Sequence, residues 1–188
     1  MKKELELKDI ACYLPYDLTM TNHYCESNGD VIEEHTIIGN VVGFIGNHID
    51  FNNVSNCGMQ NVRTWQPLLI PMSAITQPMT VEGYNDGEEF VPLIELAKIY
   101  LQDARRRGYY CDEDFKVVGD SVIIRENYLK FNYDVSRRYF NCESFFDASD
   151  DYAVLYQSDL FQFMNMCHLD YNDLIGQGLA IDKTTYKL

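Results

Sequence analysis

Pro92-Leu93-Ile94-Glu95-Leu96-Ala97-Lys98-Ile99-Tyr100-Leu101-Gln102-Asp103-Ala104 is the stretch on which the reading of the fold turns. Leu93, Leu96, Ala97, Tyr100, Leu101 and Ala104 recur at i, i+3, i+4, i+7, i+8 and i+11, which puts them on one helical face. Pro92 suits the first helical position. Glu88 and Glu89 precede the helix, Arg105-Arg106-Arg107 close it and Gly108 follows, so charge matches the helix dipole at both ends. The spacing predicts a helix over Pro92–Arg107.

Working toward the N-terminus, the pattern changes to strands. Thr64-Trp65-Gln66-Pro67-Leu68-Leu69-Ile70-Pro71 is apolar and bracketed by prolines. Proline is poorly tolerated in a central strand, so this segment is expected at a sheet edge or as an extended crossing. Residues 52–61 read as loop, and His48–Phe51 as a short strand. Asp17–Tyr24 and Val31–Ile38 read as hairpin partners around the turn signal Asn28-Gly29-Asp30. Leu7, Ile10, Ala11 and Leu14 share one face of a short helix, after which Pro15 is expected to turn the chain extended.

Toward the C-terminus, Phe115–Ile124 reads as a hairpin turning at Gly119-Asp120. Leu129, Phe131 and Tyr133 alternate along a further strand, Tyr128–Tyr133. Glu143–Asp151 is acidic and reads as loop. A second helix is predicted over Ser158–Ile175, with Leu160, Met164, Cys167, His168, Tyr171, Leu174 and Ile175 on one stripe and Gly176 and Gly178 as the stop. The expectation is a single α+β domain over residues 1–188. It has a small antiparallel sheet carrying two main helices, and any sub-division falls near 75–90.

Composition narrows the function classes. The chain has 188 residues and a net charge of −14. Such a surface repels nucleic acid phosphates, so direct nucleic-acid binding is disfavoured. The six cysteines at 12, 25, 57, 111, 142 and 167 form no C-x-x-C pair of the kind zinc sites use. Met1–Glu6 alternates charge without an apolar core of signal length. The apolar runs are too short to span a bilayer. The reading is a cytoplasmic protein with reduced thiols and no membrane contact.

Several segments invite a chemical reading. Gly39-Asn40-Val41-Val42-Gly43-Phe44-Ile45-Gly46 has the wrong spacing for a phosphate loop and no Lys-Ser/Thr after it. Glycines placed within or between strands explain it better. His168-x-Asp170 and His48-x-Asp50 bring an imidazole near a carboxylate. If Asp170 caps a following turn, His168 could receive its hydrogen bond, and a packed histidine is the favoured role. On a strand, His23 and Cys25 share a face, but two ligands do not make a zinc site. Glu143, Asp147, Asp150 and Asp151 fail the calcium-loop test, since Tyr152 and Ser158 stand where Gly and Glu are needed. Asp112-Glu113-Asp114 reads as a solvated run. Arg105-Arg106-Arg107, beside Tyr109-Tyr110, and Arg137-Arg138 read as helix-capping or carboxylate-paired clusters. There is no G-x-S-x-G elbow. No catalytic, cofactor-binding or metal-binding residue is assigned, no cofactor is expected, and enzymatic status is left open with the balance against it.

Lys8-Asp9-Ile10-Ala11-Cys12-Tyr13-Leu14-Pro15-Tyr16, with Leu18, resembles the K-D-[LI]-A-x-Y-L-P-Y-x-L opening of a loose family of uncharacterised proteins from bacterial prophages and mobile elements. Asp17 replaces that family's usual glycine. Leu69-Ile70-Pro71-Met72-Ser73 with Ile75, and Gly87–Pro92, are similar to its central L-x-P-[LM]-S-x-[LI] and G-x-x-F-x-P segments. His168-Leu169-Asp170 through Leu174-Ile175 to Gly178-Leu179-Ala180-Ile181-Asp182 is similar to its closing H-x-D-x-x-x-L-I-x-x-G-L-A-I-D. The resemblance implies a phage or mobile-element setting and no particular chemistry. The leading expectation is a non-enzymatic accessory protein that binds another protein. The alternatives are an acidic nucleic-acid mimic that inhibits a host defence or DNA-binding protein, and a small metal-dependent enzyme using His168, His48 or His23.

Overall fold

A computed structural model describes residues 3–28, 31–52, 59–106, 114–124, 129–144, 151–154 and 157–186. The elements run α1 (Leu7–Ile10), β1 (Thr19–Asn28), β2 (Val31–Ile45), β3 (His48–Phe51), β4 (Gln60–Asn61) and β5 (Gln66–Leu69). They continue with α2 (Pro92–Arg106), β6 (Phe115–Val118), β7 (Ser121–Ile124), β8 (Leu129–Asp134), β9 (Tyr139–Ser144) and β10 (Asp151–Ala153). The last two are α3 (Ser158–Met166) and β11 (Ile181–Asp182). The fold class is α+β, as the sequence predicts, but the strands form two sheets of six and five strands rather than one small one.

The chain divides into two compact units where the sequence pattern suggests one domain with any sub-division near 75–90. The first unit is Met1–Pro71 with His168–Leu188, and the second, Met72–Cys167, is inserted within it. The sheet of the first unit has the order β11-β5-β1-β2-β3-β4. Its largest piece is the antiparallel hairpin of β1 and β2, in register from Thr19↔Asn40 to Asn28↔Val31. Gly29 and Asp30 of the expected turn lie outside the described residues. Strand β2 runs on for 15 residues, through the glycines that the sequence shows as interruptions. Gly39 pairs with Met20, a bulge falls between Val41 and Gly43, and Gly46 turns into β3 at a φ of 60°. A bulge absorbs the extra residue and bends the strand without ending it.

Strand β5 corrects the expectation of an edge or bare crossing. It lies between β1 and β11, pairing antiparallel with the first through Gln66 and Pro67 and parallel with the second through Leu68 and Leu69. The two pairings use different halves of the strand. Pro67 therefore sits where only one side is paired, which reconciles its missing N–H with an inner position. At the other end of the chain's first segment, α1 stops at Ile10. Pro15 lies inside a 3-10 turn, Leu14–Tyr16, and β1 begins at Thr19. The turn precedes Asp17 at a φ of 54°, which Asp tolerates better than most residues. The unit closes on its own core, in which Ile10, Tyr13, Leu18, Met20, Ile49, Trp65 and Leu69 are fully buried with Leu174, Leu179 and Ala180 from the returning chain.

In the inserted unit β6 to β10 form an antiparallel meander. The β6–β7 turn falls at Gly119-Asp120, as expected. Strand β9 follows β8 directly in a pairing from Leu129↔Ser144 to Asp134↔Tyr139. The sequence pattern assigns no strand to its first residues. Leu93, Leu96, Ala97 and Leu101 of α2 are buried as predicted, and the free N–H of Leu93 in the first turn is taken by the Ile75 carbonyl at 2.9 Å. The core is aromatic. Phe140 lies 5.6 Å from Phe131, 4.9 Å from Tyr133 and 5.7 Å from Phe161, centroid to centroid.

Helix α3 ends at Met166, not near Ile175. His168 takes a φ of 54°, and the next residue pairs with Ile70 in a parallel bridge. The apolar stripe that predicts one long helix serves two cores. Leu160, Met164 and Cys167 are buried in the inserted unit, while Leu174 is buried in the first unit with Tyr171 and Ile175 packed against that core.

Candidate functional site

The return of the chain at His168-Leu169-Asp170 is, among the described segments singled out from sequence, rich in polar contacts. The Ile70 N–H donates to the His168 carbonyl at 2.9 Å and the Asp170 N–H to the Ile70 carbonyl at 2.8 Å. The Tyr13 hydroxyl donates to the Leu169 carbonyl at 2.9 Å. The Asp170 carboxylate is buried and accepts the N–H of Leu174 at 2.8 Å and of Ile175 at 2.7 Å. It caps the turn that follows by accepting from these two backbone donors. His168 contacts a different partner: its Nε2 lies 2.6 Å from the Tyr16 carbonyl, so that nitrogen carries the proton. Burial holds the imidazole below its ordinary pKa, with the Lys183 charge adding to this and the Tyr16 carbonyl opposing it. A neutral, hydrogen-bonded ring locks the returning chain, and the carboxylate next to it is spent on backbone. The pair is arranged for anchoring.

The remaining histidines occupy separate settings. His23 Nδ1 lies 2.9 Å from Thr36 Oγ1 across the β1–β2 pair. His35 stacks on Tyr24 at 5.3 Å, and His48 is exposed opposite Ile45. The side chain of Cys25 lies outside the described residues. Among the described residues no three His, Cys, Asp or Glu side chains are grouped to hold a metal ion. Asp147, Asp150, Asp112, Glu113, Arg107, Tyr109, Tyr110 and the side chains of Asp151, Arg105 and Arg106 lie outside the described set. Glu143 faces Lys130 at 3.9 Å.

Arg137 reaches Asp134 at 3.9 Å and donates to the Tyr139 hydroxyl at 3.1 Å. Asp134 is held below the usual carboxylate range by the Ser136 hydroxyl first and the Arg137 N–H second. This basic pair is folded into the β8–β9 turn.

Thiol chemistry is suppressed at Cys12 and Cys167. Burial pushes the Cys12 thiol up against an opposing hydrogen bond to Tyr171. Burial, then the Glu95 charge, pushes Cys167 up to about 12. Both remain thiols at neutral pH, so neither is a ready nucleophile.

The feature that sequence reading missed is an exposed apolar tip. Three of the six large apolar side chains exposed among the described residues fall within 42–45: Val42 at 58%, Phe44 at 52% and Ile45 at 71%. The register explains them. Phe44 pairs with Ile49 and Ile45 with His48, so the two point to opposite faces of the hairpin end, past the buried Val41, Ile49 and Phe51. Bulging of β2 next to Val42 sets this off from the packed part of the sheet. Among the described residues no helix is long and apolar enough to cross a membrane. The chain matches no family model, no curated protein and no solved structure.

Proposed function

We propose that this protein is a non-enzymatic accessory protein that binds another protein through the β2–β3 tip. The observation that carries the reading is the clustering of Val42, Phe44 and Ile45 in solvent at one hairpin end. Exposed apolar side chains scattered singly need no explanation, whereas three within four residues, on both faces of one hairpin end, make an apolar tip that a partner can enclose. A few buried anchors supply most of the energy of a protein interface, and Phe44 is the aromatic one at this tip. The −14 charge of the chain favours a partner with a basic rim around an apolar socket. Location in the cytoplasm and a phage or mobile-element setting belong to the same reading, the second supported by the resemblance of the Lys8–Tyr16 and His168–Asp182 segments.

The test uses a matched pair of baits, the wild-type chain and the Phe44→Ser/Ile45→Ser double variant, in affinity capture from a host lysate. Both substituted positions are exposed, so the variant keeps its fold, checked by an unchanged thermal midpoint. The expected result is a partner retained by the wild type and lost by the variant, with at least tenfold less recovered. That loss corresponds to about 1.4 kcal/mol or more. Equal capture by both baits contradicts the assignment.

A further inference from the structure

Strand β1 outruns one of its two neighbours. Strand β5 pairs with it only at Met20 and Thr21, whereas β2 pairs with it through to Asn28↔Val31. Among the described residues, β1 and β2 therefore continue from Asn22 as a two-stranded ribbon. At about 3.3 Å per residue, Asn22–Asn28 carries this ribbon roughly 23 Å past the last β5 pairing. Two strands alone are marginal in water, and a third makes such a ribbon stable.

The register fixes which backbone groups face the edge. One step beyond the Thr19↔Asn40 pair, the Val41 N–H donates to the Leu18 carbonyl at 3.0 Å. Alternation along an antiparallel ladder then makes Asn22↔Ile37, Tyr24↔His35 and Glu26↔Glu33 hydrogen-bonded pairs as well. His23, Cys25 and Ser27 fall between them and turn their N–H and C=O groups away from β2. The β5 pairing has the same phase: Pro67, without an N–H, stands opposite Met20, and Gln66 stands opposite Thr21. Tyr186 reaches Thr21 with its hydroxyl and His23 with its ring, which is a side-chain contact and not a strand pairing. On the β2 side the Asn52 N–H already takes the Asn40 carbonyl, so β1 offers the better template.

Charge says what kind of strand fits. Edge strands are ordinarily blunted by lysine or proline, and β1 has neither from Thr19 to Asn28. No lysine or arginine occurs anywhere between Lys8 and Arg63. The ribbon's charges are acidic, with Glu26 opposite Glu33 and Cys25 opposite Glu34 in the register. Like charges at paired positions repel. A second copy of this chain would add the same carboxylates, while a basic segment offsets them.

We propose that the β1 edge over Asn22–Asn28 takes up an extended, lysine- or arginine-rich segment of a partner protein as an added β-strand. Main-chain hydrogen bonds to His23, Cys25 and Ser27 supply affinity, and the negative charge of Glu26, Glu33 and Glu34 selects basic side chains. The proposal rests on the protein-binding reading and adds to it a second contact, apart from the β2–β3 tip.

The test is amide hydrogen exchange, read by ¹⁵N–¹H NMR on the full chain, with a synthetic heptapeptide that alternates lysine with threonine or valine. In the free chain the amides of Asn22, Tyr24 and Glu26 are expected to be protected and those of His23, Cys25 and Ser27 open. The peptide at millimolar concentration is expected to slow exchange in the second set by about tenfold or more. The same peptide with every backbone amide N-methylated keeps its charge but has no ladder donors, and a glutamate version reverses the charge. Both are expected to leave exchange unchanged. Cys25→Pro removes one outward N–H and no β1–β2 bond, and is expected to abolish the slowing at His23 and Ser27. Glu26→Lys with Glu33→Lys is expected to abolish it by charge should the proline variant prove poorly folded. The Phe44→Ser/Ile45→Ser variant is expected to keep the slowing, which separates this edge from the tip. No slowing at His23, Cys25 and Ser27, equal slowing by either control peptide, undiminished slowing in both edge variants, or its loss in the tip variant overturns the proposal.

Discussion

Replacing Asp170 with alanine is expected to destabilise the first unit by about 3–5 kcal/mol. The buried carboxylate accepts two backbone N–H groups at 2.8 and 2.7 Å, and hydrogen bonds to a charged group contribute about 1.5–3 kcal/mol each. Alanine leaves the N–H groups of Leu174 and Ile175 without their acceptor at the point where the chain re-enters its core. Leu174, Leu179 and Ala180 are then no longer held in place. Asp170→Asn keeps one acceptor oxygen and is expected to lose about half as much. Trp65, the one tryptophan of the chain, is 1% exposed in this core and 4.1 Å from the Phe51 ring. Its emission during urea unfolding reads the loss directly. A change of under 1 kcal/mol in the alanine variant would mean that the cap is dispensable.

Phe140→Ala is expected to cost the inserted unit a similar amount, about 3–5 kcal/mol, the usual range for emptying a buried aromatic site. Phe140 is fully buried, and its ring meets Phe131, Tyr133 and Phe161. The cavity left has rigid walls, because these neighbours belong to paired strands and a helix and cannot close it. The Phe140 N–H to Gln157 Oε1 bond, at 3.0 Å, is a backbone contact and survives the substitution, so the measured loss belongs to packing. Phe140→Leu refills most of the space and is expected to cost about 1–1.5 kcal/mol. Hydrogen exchange at the amides of β8 and β9 is the appropriate readout, since Trp65 is in the other unit.

Much of the fold is legible in the sequence where local and global demands agree. The α2 helix has a proline start, a clean apolar face and a basic end, and each of these signals is local. The same holds for the β6–β7 hairpin at Gly119-Asp120. The errors arise where tertiary pairing overrides a local pattern. Leu160 to Ile175 keeps helical spacing throughout, but burial at i+3 and i+4 is also what a turn needs when it packs on another core. Nothing nearby announces that His168 adopts a positive φ or that Leu169 pairs with Ile70, nearly a hundred residues earlier in the chain. Pro67 argues for an edge, and only the staggered pairing of β5 shows how it fits inside. Phe140 and Cys142 alternate with polar residues along β9, but the arginines before them and the acidic run after them hide the strand.

The candidate sites are less legible for a related reason. Val41-Val42-Gly43-Phe44-Ile45 looks like strand core, and its exposure follows from where the bulge and the β2–β3 turn fall. Tyr133 belongs to an alternating strand pattern and is 7% exposed; that its hydroxyl has no hydrogen-bond partner among the described residues depends on distant segments. His168 and Asp170 have a spacing that invites a chemical reading, and the structure uses both to fasten the returning chain.

The most direct measurement removes the insert. The first unit has its own core, and its chain ends at the insertion are adjacent, with Ile70 bonded to both His168 and Asp170 at 2.9 and 2.8 Å. A Gly-Ser-Gly bridge reaches roughly 10 Å and can join Pro71 to His168. The shortened chain, followed by Trp65 fluorescence through a urea titration, is expected to show buried-tryptophan emission and one cooperative transition. Solvent-like emission without a transition would contradict the division of this protein into a complete unit and an insert.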